Sequence, residues 1–97
     1  MIERIILFKL KDPSERDALA TESLELLAKL PDIDELSVGV PADAASEKSW
    51  DLSVVIGFAN TALLTKVLES TQFEAYFEGV MKDRIEVVKA WSFERLA

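Results

Sequence analysis

Apolar residues follow two periods along this chain, one typical of strands and one typical of helices. Residues 33–40 and 50–58 alternate apolar and polar side chains, as a half-buried strand does, while residues 2–10 and 85–93 are apolar on both sides. Residues 13–30 and the segments after Asn60 and Thr71 repeat apolar side chains at the spacing of a helix turn. The pattern therefore predicts four strands and two or three helices.

Residues that cap or break helices set the boundaries of these elements. Asp12, followed by a proline, caps the first helix, and Pro31 ends it. Asn60 caps a short helix, Thr71 begins another capping pattern, and the stretch PADAASEKS is expected to be a polar connection. The order strand, helix, strand, strand, one or two helices, strand predicts a single α+β domain over residues 1–97. Its fold is expected to be ferredoxin-like, with a four-stranded antiparallel sheet and helices on one side.

The first strand poses a packing problem because both of its faces are apolar. Helices can cover the face with the larger side chains, which are those of Ile6, Phe8, Leu52, Val54, Ile56 and Phe58. The other face is expected to carry Ile5, Leu7, Val55, Val88 and Ala90. Burial of such a side chain stabilises the fold by about 1.5–3 kcal/mol, and this stabilisation is lost if the side chain stays in water. No helix remains to cover the residues of this face. The simplest cover is the same face of a second copy, which predicts a homodimer whose two sheets form a dimeric α+β barrel.

Composition narrows the class of protein. The 97 residues are 49% hydrophobic and 30% charged, which is typical of a globular domain. No apolar run reaches the roughly 20 residues of a membrane span, and charged residues bracket the short apolar run near Met1, so we expect a cytoplasmic protein without a signal peptide. The net charge of −7 makes nucleic acid an unfavourable partner.

The chain contains neither cysteine nor histidine. A cysteine nucleophile and a histidine base are therefore excluded, and so are metal sites with thiolate or imidazole ligands. Any catalysis would use Asp, Glu, Lys, Tyr, Arg, Ser or Thr, or a bound cofactor, and the sequence indicates no cofactor. Acidic residues after Pro31 give only weak support for a metal site, so none is predicted.

Three segments, IERIILFKLK, LSVGVPADAASEKSWDLSVVIGF and VVKAWSFE, resemble the stress-responsive A/B barrel (Dabb) family, whose members are small dimeric α+β barrels. The resemblance spans essentially the whole chain and implies the dimeric barrel. It implies less about activity, because most members have no established reaction. A plant member is a polyketide cyclase that uses a tyrosine and a histidine, and by that match this chain has Lys66 and Gln72. Where members often have a histidine in the first strand, this chain has Arg4.

Arg4, Lys66 and Gln72 at the matched positions, together with the phenol of Tyr76 and the indole of Trp50, form a candidate ligand pocket. Arg4 could anchor an anionic ligand, or it could lie over the core and pair with a local acid such as Asp51 or Glu3. Because glutamine does not titrate and lysine normally stays charged, the cyclase mechanism is not expected here.

Two functional hypotheses remain open at this stage. One is a homodimer that binds a small apolar or aromatic molecule in a stress response. The other is an enzyme on polyketide or phenolic substrates, either a divergent cyclase or a cofactor-free monooxygenase. An RNA-binding domain with the same strand order fits poorly, because such domains display aromatic side chains on a basic surface.

Overall fold

The computed structural model describes residues 1–97 and contains one antiparallel sheet. Its strands are β1 (Ile2–Leu10), β2 (Glu35–Gly39), β3 (Leu52–Phe58) and β4 (Ile85–Glu94). Their order across the sheet is β2-β3-β1-β4, so β2 and β4 form its two edges. The predicted ferredoxin-like α+β fold is confirmed.

Four helices connect the strands, namely α1 (Arg16–Leu27), α2 (Ala44–Ser49), α3 (Thr61–Leu68) and α4 (Thr71–Tyr76). A 3-10 turn (Pro13–Glu15) precedes α1, while a π-helical turn (Phe77–Met81) and a second 3-10 turn (Lys82–Arg84) lead from α4 to β4. None of the helices combines the length and apolar content needed to span a bilayer.

Side-chain caps explain where the helices begin. Asn60 Oδ1 accepts a hydrogen bond from Leu63 N at 3.0 Å, as predicted for α3. The cap of α4 is Ser70 instead of the predicted Thr71, because Ser70 Oγ accepts from Phe73 N. The polar connection predicted before β3 contains a short helix that was not predicted. Asp43 accepts from Ser46 N at 2.7 Å and thereby starts α2, a helix of six residues.

The core lies between the helices and one face of the sheet, which we call the inner face. The register predicted for this face is confirmed, since all six of its larger side chains are buried: Ile6, Phe8, Leu52, Val54, Ile56 and Phe58. Leu19 and Leu27 of α1 and Phe73 of α4 belong to the same cluster. The opposite, outer face carries Ile5, Leu7 and Val55, as expected from the alternation of β1 and β3.

The expected positions of Val88 and Ala90 on the outer face are wrong. Pairing of β4 with β1 sets Val88 opposite Phe8 and Ala90 opposite Ile6, so both lie on the inner face and pack against the core. The outer residues of β4 are instead Val87, Lys89, Trp91 and Phe93. A slip of one residue exchanges the faces of a strand, and β4 has apolar residues on both, so its sequence alone does not fix the register.

Candidate functional site

A cleft of about 380 Å³ opens between the end of α1 and the segment formed by α4 and the π-helical turn. Its lining consists of the apolar Leu26, Ala75 and Val80 and the polar Lys29, Gln72 and Tyr76. The side chains from α4 share one side of that helix because residues three and four apart are neighbours on a helix surface. The cleft thus combines an apolar wall with one cation, one amide and one phenol.

Tyr76 forms the buried part of this cleft. Its hydroxyl lies 2.8 Å from Ser23 Oγ, and Ser23 Oγ in turn lies 3.9 Å from Met81 Sδ. Burial raises the pKa of the Tyr76 phenol to about 12, with the bond to Ser23 opposing this shift and the charge of Glu22 adding to it. The phenol is therefore neutral at physiological pH, and Ser23 fixes its orientation.

We expect the raised pKa of Tyr76 to be directly measurable, because this is the only tyrosine of the chain. Tyrosinate absorbance should appear near pH 12 in the folded protein and near pH 10 in denaturant. Since the pKa is higher in the folded state, the stability that it contributes is complete below about pH 10 and is lost as the pH rises towards 12. A folded-state titration near pH 10 would contradict the burial of the phenol.

Two other candidate residues lie away from the cleft. Lys66 is on the exposed side of α3, where Nζ forms an ion pair with Asp32 Oδ2 at 3.0 Å. Trp50 precedes β3 and lines a hollow on the outer face together with Leu7 and Ser53. The structure therefore brings Gln72 and Tyr76 together and leaves Lys66 and Trp50 in separate places.

Arg4 occupies a third position, on the inner face of β1. Its Nη1 donates to Ser92 Oγ at 3.2 Å, and its buried Nε has no hydrogen-bond partner. Neither acid considered for it is bound to it, since Glu3 pairs with Arg95 at 2.9 Å and Asp51 Oδ2 accepts from a backbone amide. Arg4 is thus a cation without a carboxylate partner.

Sequence reasoning missed Lys29 as a cleft residue. It lies two residues beyond the end of α1 and three residues after Leu26, so both emerge on the same side of the helix end. That spacing places Lys29 on the side of Leu26, whereas only the packing of α1 beside α4 makes this side part of the cleft. No group of three or more acidic side chains lies close enough to hold a metal ion.

The outer face of the sheet is uneven. It has one ridge of exposed side chains and two hollows. The β4 ridge is formed by Val87, Trp91 and Phe93, which are 41%, 47% and 56% exposed. The β2 hollows lie at the other edge of the sheet. One, of about 260 Å³, includes Gly39 and Ser53, and the other, of about 440 Å³, includes Ser37 and Val55.

At one end of the second hollow, Arg95 connects three strands. Its Nη2 lies 2.9 Å from Glu3 Oε2 on β1 and 2.8 Å from Glu35 Oε2 on β2, and the hydrogen bond from Arg95 lowers the pKa of the Glu35 carboxyl. The two glutamates flank Gly57 of β3, which pairs with both of them. A side chain at Gly57 would crowd this arrangement, since a Cβ there would lie 3.1 Å from Glu35 Cβ.

Comparisons with a family model and with solved structures point to the same family and fold. The model of the stress responsive A/B barrel domain (Dabb) matches residues 2–88. Among solved structures, a Dabb family protein with a ferredoxin-like fold from Mesorhizobium loti is similar with a TM-score of 0.83, 14% identity, and coverage of 99% of this chain and 97% of that chain.

Two further structures are described as dimeric ferredoxin-like proteins of unknown function. The one from Bacteroides fragilis has a TM-score of 0.79 and 19% identity, with 97% of this chain and 95% of that chain covered. The one from Thermobifida fusca has a TM-score of 0.81 and 18% identity, with 97% and 90% covered. No functionally curated protein matches the sequence.

Proposed function

Because this chain belongs to the stress responsive A/B barrel (Dabb) family, we propose that it acts as a homodimer that binds a small apolar or aromatic molecule. The observation that carries the ligand proposal is the cleft beside α1 and α4, in which an apolar wall meets a lysine and an amide. The family description suggests a role in the response to stress. We place the protein in the cytoplasm, which fractionation of a tagged copy would test.

The homodimer is proposed because the outer face is too apolar to remain exposed to water in a monomer. Ile5, Leu7 and Val55 lie half-buried at its centre, and the β4 ridge adds two aromatic side chains. A contiguous patch of this kind marks an interface. Two similar structures are described as dimeric, which agrees with a second copy as the cover. Face-to-face packing of the two outer faces would give the dimeric barrel.

The ligand proposal follows from the size and chemistry of the cleft. Its volume of about 380 Å³ falls in the range of about 300–1,000 Å³ that is common for small-molecule sites. Leu26, Ala75 and Val80 suit an apolar or aromatic body. The Lys29 ammonium would pair with a carboxylate or phenolate, and the Gln72 amide could donate or accept a hydrogen bond. The preferred ligand is therefore an aromatic or aliphatic acid.

A thermal-shift panel of aromatic carboxylates, such as salicylate and naphthoate, tests this proposal. We expect at least one compound to raise the melting temperature by several degrees, since a ligand at about 100 times its Kd adds about 2.7 kcal/mol. Lys29→Gln should abolish the shift. Lys66→Gln is the matched control, because Lys66 is an exposed lysine that is paired with Asp32 outside the cleft. Equal shifts in Lys29→Gln and in the unmodified protein would contradict the site.

Binding is favoured over the divergent-cyclase alternative for one reason. Acid–base chemistry on a polyketide or phenolic substrate needs a group that titrates near the working pH. Tyr76 is the phenol of the cleft, but its pKa of about 12 and its bond to Ser23 favour a fixed, neutral role. The cleft therefore supports recognition of a ligand better than its conversion.

A further inference from the structure

We propose that the cleft beside α1 and α4 binds a bipolar molecule, which has a carboxylate at one end, an ammonium at the other and an apolar body between them. Lys29 pairs with the carboxylate, and Glu22 pairs with the ammonium. This inference rests on the proposed ligand-binding function. It narrows the ligand from acids in general to amino acids whose two charged groups lie far apart.

The first observation is the alignment of Glu22, Leu26 and Lys29 along α1. These residues are four and three positions apart, and residues at such spacings are neighbours on one side of a helix. The turn continues past the end of α1, since Lys29 N donates to Leu26 O at 3.3 Å. Leu26 and Lys29 line the cleft, so Glu22 lies on the same side, one turn before Leu26. With a rise of about 1.5 Å per residue, the backbones of Glu22 and Lys29 are about 10 Å apart along the axis.

The surroundings of Tyr76 place the Glu22 carboxylate beside the cleft. Glu22 directly precedes Ser23, whose Oγ lies 2.8 Å from the Tyr76 hydroxyl. The charge of Glu22 also adds to the raised pKa of the Tyr76 phenol, which requires the carboxylate to lie near that phenol. Glu22 is half-buried. The cleft therefore has an acid at one end and a base at the other.

Neither of these two charges has a partner within the chain. The ion pairs of the structure join other acids and bases, and none includes Glu22 or Lys29. Glu25 stands four residues before Lys29, a spacing that permits pairing, but the two are not paired either. Glu22 and Lys29 are two turns apart, beyond the one-turn spacing at which helical side chains meet. A ligand with opposite charges at its two ends satisfies both groups.

The wall between the two charged groups is apolar. Leu26 lies between them on α1, and the opposite wall contributes Ala75 from α4 and Val80 from the π-helical turn. The body of the ligand is therefore a hydrocarbon chain or a ring. The Gln72 amide, which lines the same cleft as Lys29, can donate a second hydrogen bond to the carboxylate.

The net charge of the protein favours such a ligand over a simple acid. At −7, the chain as a whole repels an anion, and Lys29 is the one cation that lines the cleft. An amino acid with an ionised amine and an ionised carboxyl group has no net charge. The overall field of the protein therefore does not oppose its approach.

Isothermal titration calorimetry with three probes of equal chain length tests this assignment. The probes are octanoate, octylamine and aminooctanoate, the last with its amine on the terminal carbon. We expect aminooctanoate to bind about tenfold more tightly than either probe with a single charge, the effect of one additional charge-assisted hydrogen bond. The shorter aminobutanoate should lose this advantage, because its charges lie too close together to reach both ends of the cleft.

Substitutions at Glu22 identify the ammonium site. Glu22→Gln should remove the preference for aminooctanoate over octanoate. Asp17→Asn is the matched control, because it removes the same charge from an α1 side chain that is 87% exposed, and it should keep the preference. Glu22→Lys should prefer the diacid octanedioate to aminooctanoate, a reversal that a folding defect would not produce. A preference for aminooctanoate that persists in both Glu22 variants would overturn the assignment.

Two further outcomes separate this inference from the proposed function. Equal affinities of the unmodified protein for octanoate and aminooctanoate would mean that the ligand is a simple acid. That result would overturn the bipolar ligand and leave ligand binding in place. Absence of binding by all these probes and by the aromatic carboxylates of the thermal-shift panel would overturn both.

Discussion

Replacing Leu7 by aspartate should convert the proposed homodimer, with about twice the chain mass of 10.8 kDa, into a monomer. Leu7 lies on the outer face of β1, between Ser53 of β3 and Lys89 of β4. A carboxylate there would lose its water on association, and the desolvation of a buried ion pair with the neighbouring Lys89 costs more than the attraction of the pair returns. Light scattering at micromolar concentration measures the outcome.

Leu24→Asp is the matched control for this change. Leu24 is an apolar residue of α1 that is 49% exposed, and it does not belong to the outer face. The same substitution there should leave the dimer intact. Circular dichroism should show the same secondary structure in both variants. A Leu7→Asp protein that remains dimeric would mean that the copies meet through another surface.

Replacing Asp51 by alanine should lower the melting temperature by roughly 10 °C, the effect of about 2 kcal/mol in a domain of this size. Asp51 is only 1% exposed, although it carries a charge. Its Oδ2 accepts from Leu10 N at 2.9 Å, and Lys9 Nζ lies 3.8 Å away. Alanine would leave the buried amide of Leu10 without an acceptor, at the point where β1 ends and β3 begins.

Asp51→Asn separates the hydrogen bond from the charge. The asparagine oxygen can still accept from Leu10 N, so this variant should lose less stability than Asp51→Ala. Both melting curves are measured at the same protein concentration, because the melting temperature of the proposed dimer would depend on it. Equal losses in the two variants would show that the charge, rather than the backbone hydrogen bond, carries the effect.

The parts of the fold that depend on local sequence were predictable. The alternation in β3 predicted its buried face, and Asn60 predicted the start of α3. The face of β4 was not predictable, because its outward Trp91 and its inward Ala90 are both apolar and only the pairing with β1 distinguishes them. Helix α2 was missed because six mostly polar residues have no apolar stripe, and a single cap at Asp43 is its main signal.

The candidate site was predictable only in part, because its residues meet through long-range packing. Gln72 and Tyr76 share a cleft since they lie four residues apart on one helical side. Lys29 joins them only because α1 packs beside α4, which no local pattern specifies. Arg4 came from a matching position in a family and Trp50 from its aromatic side chain, and the structure places them on different faces of the sheet.

The placement of the aromatic side chains gives the unlabelled protein two separate optical reporters. Trp50 lines a β2 hollow and Trp91 belongs to the β4 ridge, so both indole fluorophores lie on the side where the second copy is proposed to bind. Tyr76, the single phenol chromophore, lies at the helix cleft. Fluorescence emission should therefore follow association as the protein is diluted. With an aliphatic acid, which does not absorb in the near ultraviolet, difference absorbance of Tyr76 should follow the cleft, so the two events can be recorded from one sample without a dye.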